Sequence, residues 1–427
     1  MEKNVKQSER KKKSLYIKEN PERCTPDAER PSSEAPLEGG VPPAERSSKP
    51  AHLEGSIPIY PLNCIYFYLT EGCNLCCRHC WIQPKFQNGE RVYPSLEVDL
   101  FKSIIDQAKA LGLGSVKLTG GEPLLHPQIG ELLDHIEEEG LRLTIETNGV
   151  LCTPALARKI ASCASPFVSV SIDGADAETH EWVRGVAGSF RQAVDGVRNL
   201  VEAGIHPQII MTVMRRNRDQ IEDVVRLAEG LRADSVKFNI VQPTARGEKM
   251  HETGETLTIE ELVDIGRWVE NELSATTPLR LHYSHPIAFR PMSRMFGEKG
   301  DGCGVCGILG ILGVLGNGSY ALCGIGETIP ELVFGHAAHD RLADIWENNA
   351  ILKELREGLP HRFEGICGDC VMRGICLGSC VAQNYYSSGN LWAGYWFCEA
   401  AKKEGLFPGT RLEGGRRMKR VEARPSL

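Results

Sequence analysis

What this chain lacks narrows its class before any motif is read. It has no long hydrophobic run: the longest uncharged apolar stretch, Gly304 to Asn317, is glycine-rich and too short for the roughly 30 Å of a bilayer core. No membrane span is expected. A basic excess is missing too, with 49 Lys and Arg against 56 Asp and Glu for a net charge of -7, so the electrostatic footprint of a nucleic-acid binder is not there. Met1 to Ser14 hold no apolar segment of the kind that heads a secreted protein. The 16 cysteines therefore read as reduced and metal-bound in a cytoplasmic protein rather than as disulfides. At 427 residues the chain can bury large cores without covalent staples.

Cysteine is what the chain does have, in two fields. In the first, Cys73, Cys77 and Cys80 are spaced CxxxCxxC directly after an apolar, strand-like run. Three thiolates in a tight loop are one ligand short of closing a 4Fe-4S cube, so one iron is left open to a substrate or cofactor. A zinc knuckle or a redox pair is the competing reading, but zinc generally takes four ligands, typically in CxxC pairs. The second field holds Cys303, Cys306, Cys323, Cys367, Cys370, Cys376, Cys380 and Cys398. A zinc ribbon uses four ligands and leaves the others unexplained, whereas eight satisfy two closed cubes. The five cysteines left over read as ordinary buried or loop thiols.

Between the two fields the pattern is regular. Strand-like runs fall at Cys64 to Leu69, Ser115 to Thr119, Leu141 to Thr147, Phe167 to Ile172, Gln208 to Met214 and Ser235 to Val241. Helical periodicity fills Leu96 to Leu111, Ile129 to Glu139, Pro154 to Cys163, Phe190 to Ala203 and Gln220 to Leu231. Gly140, Gly204 and Gly230 stand near three helix ends, where a left-handed residue commonly terminates the helix. Thr258 and Glu261 form a capping box ahead of a last helix, Ile259 to Leu273. Six βα units in succession argue for a parallel sheet. Residues 1–55 are rich in Pro, Ser, Glu, Lys and Gly without hydrophobic periodicity and are expected to be a disordered extension, with Arg10 to Lys13 a solvated charge run. Residues 275–302 read as a bridging region and 401–427 as a C-terminal tail.

The CxxxCxxC loop, with His79 before its last cysteine, resembles that of the radical S-adenosylmethionine (SAM) enzymes. In that family the open iron chelates the amino and carboxylate groups of SAM, and one-electron cleavage yields a 5'-deoxyadenosyl radical that abstracts hydrogen. Thr119-Gly120-Gly121-Glu122-Pro123, one βα unit downstream, is similar to the family's GGEP motif, which supports the methionine amino group. The resemblance extends SAM contacts to Ser171 and Asp173 and, for the carboxylate, to Arg184. It implies a partial (β/α)6 TIM-like barrel over residues 61–274. The second field resembles the SPASM extension over 303–400, which implies a first auxiliary 4Fe-4S cluster on Cys303, Cys306, Cys323 and Cys380 and a second on Cys367, Cys370, Cys376 and Cys398. Crossed ligation of that kind makes metal binding part of folding. Apolar Ile308 to Leu315 is expected to pack around the first cluster.

The usual substrates of such enzymes are ribosomally made peptides, and the Cys64 to Trp81 and Cys303 to Glu327 segments are most similar to peptide maturases of SynChlorMet cassettes. Gly324 follows Cys323 where sulfatase maturases place an aspartate base, which disfavours formylglycine formation and leaves Asp369 as a candidate base. A non-peptide substrate such as a tetrapyrrole is the alternative, and a non-catalytic iron-sulfur electron carrier the second. Residues 1–55 lack the pattern of a leader-binding winged helix, so a separate leader-peptide-binding protein is expected if the substrate has a leader. No flavin motif is evident, so electrons are expected from a flavodoxin or ferredoxin.

Overall fold

The computed structural model describes residues 60–87, 92–297 and 304–414. The expected disordered extension, Arg10 to Lys13, Cys303 and the tail beyond residue 414 lie outside the described residues.

One sheet of ten strands organises the molecule. In chain order these are β1 (Cys64–Tyr68), β2 (Ser115–Thr119), β3 (Arg142–Thr147), β4 (Ala164–Ser171), β5 (Gln208–Val213), β6 (Ser235–Ile240), β7 (Arg280–Tyr283), β8 (Ile311–Val314), β9 (Ser319–Ala321) and β10 (Val333–His336). Their spatial order is β10-β9-β8-β1-β2-β3-β4-β5-β6-β7. Pairing is parallel from β8 through β1 to β7 and antiparallel from β8 to β10. Helices α1 (Val98–Lys109), α2 (Ile129–Glu138), α3 (Pro154–Ser162), α4 (Ala177–Arg184), α5 (Ser189–Glu202), α6 (Ile221–Gly230), α7 (Arg246–Glu252) and α8 (Ile259–Asn271) lie between the first seven strands. This is the partial (β/α)6 barrel the sequence led us to expect, lengthened at both edges.

Alternation along the strands gives the sheet two unlike faces. Ile65 and Phe67 of β1, Val116 and Leu118 of β2, and Val236 and Phe238 of β6 are fully buried. In α1, Val98, Phe101, Ile104, Ile105 and Ala108 recur at helical spacing, and Phe101 meets Phe67 with ring centroids 4.5 Å apart. The intervening Tyr66, Lys117, Glu146 and Lys237 point to the other face, where Glu146 and Lys237 line a cavity. The Thr258 and Glu261 capping box forms as expected. Gly140 and Gly204 are left-handed, at φ +62° and +90°, but Gly230 is the last helical residue of α6 and Arg232 takes the turn at φ +59°.

Two boundaries differ from the sequence reading, and one segment takes a further role. The described part of the expected bridge, residues 275–297, is more than a bridge, because Arg280–Tyr283 pairs with β6 and extends the barrel sheet. Ile308 to Leu315 supplies β8, which pairs in parallel with β1, so this segment belongs to the main sheet. Residues 401–414 are packed, with Phe407 buried and Arg411 donating to the carbonyls of Ala288 and Arg290. Each depends on a partner remote in sequence, which local periodicity does not register. The rest of the cysteine-rich part is short helices, among them α9 (Val381–Ser388) and α10 (Trp396–Lys403).

Candidate active site

The C-terminal halves of β1 to β6 and loops leaving several of them converge on one cavity of about 440 Å3. Cys73, Cys77 and Cys80 line it, as do Gly120, Gly121, Glu122, Ser171 and Arg184. The three thiols come from one loop and pack together with Leu75. Cys73 Sγ accepts from the Leu75 amide at 3.4 Å, and Cys77 Sγ accepts from Arg184 Nη1 at 3.4 Å. Burial pushes the Cys73 and Cys80 thiols up, and Cys77 adds to both shifts. Thiols this close, this dry and supplied with N–H donors are at odds with free thiolates and match a cationic metal cluster. The donor set therefore fits the cube that the sequence implies. Cys76 lies outside the trio, buried, with its amide donating to the Arg184 carbonyl at 2.9 Å.

The loop is fixed from two sides. From α4, the carbonyl of Arg184 accepts from the Cys76 amide at 2.9 Å, and that of Val183 from the Arg78 amide at 3.0 Å. Gly185, at φ +75°, permits this approach, since a Cβ there would lie 2.6 Å from the Cys76 carbonyl oxygen. From the β2 end, Gly121 donates to Thr70 and Glu122 to Gly72, at 3.1 and 3.0 Å. The glycines of Gly120-Gly121-Glu122-Pro123 thus admit the cysteine loop itself: a Cβ on Gly121 would sit 1.9 Å from the Gly72 oxygen. The buried Glu122 carboxylate accepts from Leu124 N, Thr147 Oγ1 and Asn148 N at 3.1, 2.6 and 2.8 Å, tying β2 to the turn after β3.

Arg184 is one link in a buried relay. Its Nε stands 2.8 Å from Asp173 Oδ2 while its Nη1 reaches Cys77. Asp173 Oδ1 accepts in turn from the Thr212 amide of β5 at 2.7 Å, and its own amide donates to His180 Nδ1 at 3.2 Å. His79 Nε2 lies 4.0 Å from the same Asp173 oxygen, and burial holds His79 down at about 4, neutral at ordinary pH. Asp173 therefore orients Arg184 from beneath the cavity lining, and Ser171 stands on the wall itself.

The second cysteine field divides into two places. Cys306, Cys323 and Cys380 are near enough that Cys380 raises the thiols of both others, after burial. Cys380 stands at the N-cap of α9, where burial pushes its thiol up and the nearby amides of Gln383 and Ala382 oppose that shift. Cys323 and Cys380 also line the main cavity. Cys367, Cys370, Cys376 and Cys398 surround a separate space of about 20 Å3 with Ala288 and Phe407. Asp369 is exposed, 3.2 Å from Lys402, and lies away from the cavity, which removes it as a base. At Gly324 a Cβ would meet Tyr68 Cε1 at 2.2 Å, so the Tyr68 ring fills the space where an aspartate would have to stand.

Sequence reasoning missed several lining residues. Arg246 donates to the carbonyls of Cys77 and Pro84 at 3.3 and 3.0 Å. Gln242 Oε1 accepts from Tyr395 Oη and Trp396 Nε1 at 3.0 and 2.9 Å, joining the end of β6 to the cysteine-rich part. Lys237 and Asn239 line the β6 wall. A position just inside or past a βα strand end was the signal available for all of them.

A parallel barrel carrying a three-thiol loop over its C-terminal mouth defines the radical SAM class, and the comparisons agree. The Radical SAM superfamily profile matches residues 67–228. The chain is 31% identical over 337 residues to the AdoMet-dependent heme synthase of Methanosarcina barkeri, spanning 76% of this chain and 93% of that one. It belongs to the radical SAM superfamily, in its SPASM-bearing branch, and is an enzyme that uses a 4Fe-4S cluster and SAM. It is also 28% identical over 338 residues to mycofactocin maturase MftC of Mycobacterium tuberculosis, covering 76% of this chain and 79% of that protein. The fold matches Streptococcus suis SuiB bound to S-adenosylmethionine with a TM-score of 0.63 at 18% identity, over 80% and 78% of the two chains. Among the described residues no helix is long and apolar enough to cross a membrane.

Proposed function

We infer that this protein is a peptide maturase that cleaves SAM reductively and abstracts hydrogen from a ribosomally made peptide. The observation that carries the reading is the meeting of Cys73, Cys77 and Cys80 with Cys323 and Cys380 on one cavity. An electron carrier has no use for a three-ligand loop opening into such a space. The group bound at Cys73, Cys77 and Cys80 would supply one-electron reduction of the sulfonium and so the 5'-deoxyadenosyl radical. The chain's own residues do the rest: Arg184 holds Cys77 and presents a cation to the cofactor carboxylate, Glu122 fixes the turn beside the amino group, and Ser171 lines the approach. Cys306, Cys323 and Cys380, with Cys303, would hold a first auxiliary cluster facing substrate, and the other four a second one away from it.

A flavodoxin or ferredoxin would deliver the electron in a reducing cytoplasm, and a separate protein would present any leader. Kinship with the Methanosarcina barkeri heme synthase supports a second reading, a tetrapyrrole substrate. Anaerobic reconstitution with SAM and dithionite tests the enzyme reading: 5'-deoxyadenosine is expected from the wild type and not from Cys73→Ala. Equal amounts from both would overturn it. Converted peptide or converted tetrapyrrole then separates the two substrates.

A further inference from the structure

Three basic side chains, Arg184, Arg246 and Lys237, line the main cavity, and two of them are committed. Arg184 is paired with Asp173, and Arg246 donates to the carbonyls of Cys77 and Pro84. The third, Lys237, has no carboxylate within 4.0 Å and no hydrogen-bond partner among the described residues, because the nearby Glu146 is paired with Lys117 at 2.7 Å. Lys237 lies on β6, the far side of the barrel from the cysteine loop in strand order. Two positions along the same face stands Asn239, whose Oδ1 accepts from Ser284 Oγ at 3.0 Å, leaving its amide N–H groups for the cavity. A cation and a neutral donor side by side suit the two oxygens of a carboxylate. A phosphate dianion would call for more donors than this wall carries.

We propose that Lys237, with Asn239 beside it, binds a carboxylate of the substrate and so selects acids over their neutral counterparts. Burial pushes the Lys237 ammonium down, Glu146 resists and Lys117 adds to it, so a bound anion there relieves an existing strain on the charge. The inference rests on the reading of this cavity as the substrate site. It holds for either substrate source, since a peptide offers a terminal or side-chain carboxylate and a tetrapyrrole offers propionates.

The test uses the anaerobically reconstituted full chain with SAM present. One arm offers a mixed pentapeptide library as free acids and as C-terminal amides, read by affinity selection and mass spectrometry. The other offers mesoporphyrin IX and its dimethyl ester, read by absorbance titration. In one arm the acid is expected to bind about tenfold or more tighter than the neutral form. Lys237→Met is expected to erase that preference and Lys237→Arg to keep it. Acids and neutral forms retained alike, or not at all, would overturn the inference, as would undiminished preference in Lys237→Met. Loss of SAM binding in Lys237→Met would also overturn it, by assigning the lysine to the cofactor. SAM cleavage measured alongside keeps the failures apart: cleavage without acid preference sinks the Lys237 inference alone, and no cleavage sinks the enzyme reading.

Discussion

At Arg184 a single side chain serves two partners on different elements, Asp173 through Nε and Cys77 through Nη1. A planar fork can do this and a point-charge ammonium cannot. Arg184→Lys is therefore expected to keep the fold but slow 5'-deoxyadenosine formation about tenfold, equivalent to about 1.4 kcal/mol; an unchanged rate would refute the relay. The histidines beneath the site set a pH response of their own. Burial drives His180 down to about 3, with Arg184 reinforcing and Asp173 opposing, and burial also lowers His126. The unfolded chain takes up protons below pH 6.5 that these folded imidazoles refuse. Stability is then full above that pH and falls as pH drops toward 3, by up to about 1.4 kcal/mol per unit from His180, with His126 acting in the same direction. Guanidinium denaturation across pH 7.5 to 4.5 (an about three-unit window) should show this decline. His180→Phe should flatten it from a lower starting stability, because the Asp173 amide loses its acceptor.

At the scale of elements, the turn after β2 and the cysteine loop are built against each other. Gly121→Ala places a Cβ 1.9 Å from the Gly72 oxygen, and the loop must move. The expected cost is about 1–3 kcal/mol, read as a lower denaturation midpoint together with less iron held by the three-thiol loop. Gly324→Asp is expected to cost a similar amount, about 1–3 kcal/mol, and to create no sulfatase-maturase activity, because the Tyr68 ring occupies that place. The βα units were legible because α1, α2, α3, α5, α6 and β1 to β6 carry their own periodicity and turn residues, whereas the short α4 was not read from the sequence. β7 and β8 were not: each is four residues long and is a strand by virtue of its neighbour, β6 or β1. Arg232, rather than Gly230, is the left-handed residue of its turn, because the helix runs on through Gly230 to a buried C-cap at Leu231.

At the scale of the whole molecule, Gln242 makes a polar latch between the barrel and the cysteine-rich part, beside the contacts of Tyr386 with Ala245 and Glu248. Cysteine spacing brought most of the candidate thiols into view, but Gln242, an unremarked residue past β6, became a site residue only because Tyr395 and Trp396 arrive from more than 150 positions away, at separations of 153 and 154. Tyr395 is largely buried and its amide also donates to Cys367 Sγ at 3.3 Å, so the latch connects the barrel mouth to the second set of four cysteines. Gln242→Leu strands two donors, each costing about 1–3 kcal/mol if left unpaired, and loosens Tyr395. The protein is expected to melt earlier and, on exposure to a chelator, to lose auxiliary iron faster than iron from the Cys73 loop, which Arg184, Arg246 and Gly121 hold independently. Parallel loss from all sites would show instead that the latch supports the fold as a whole, and unchanged melting would show that it supports neither.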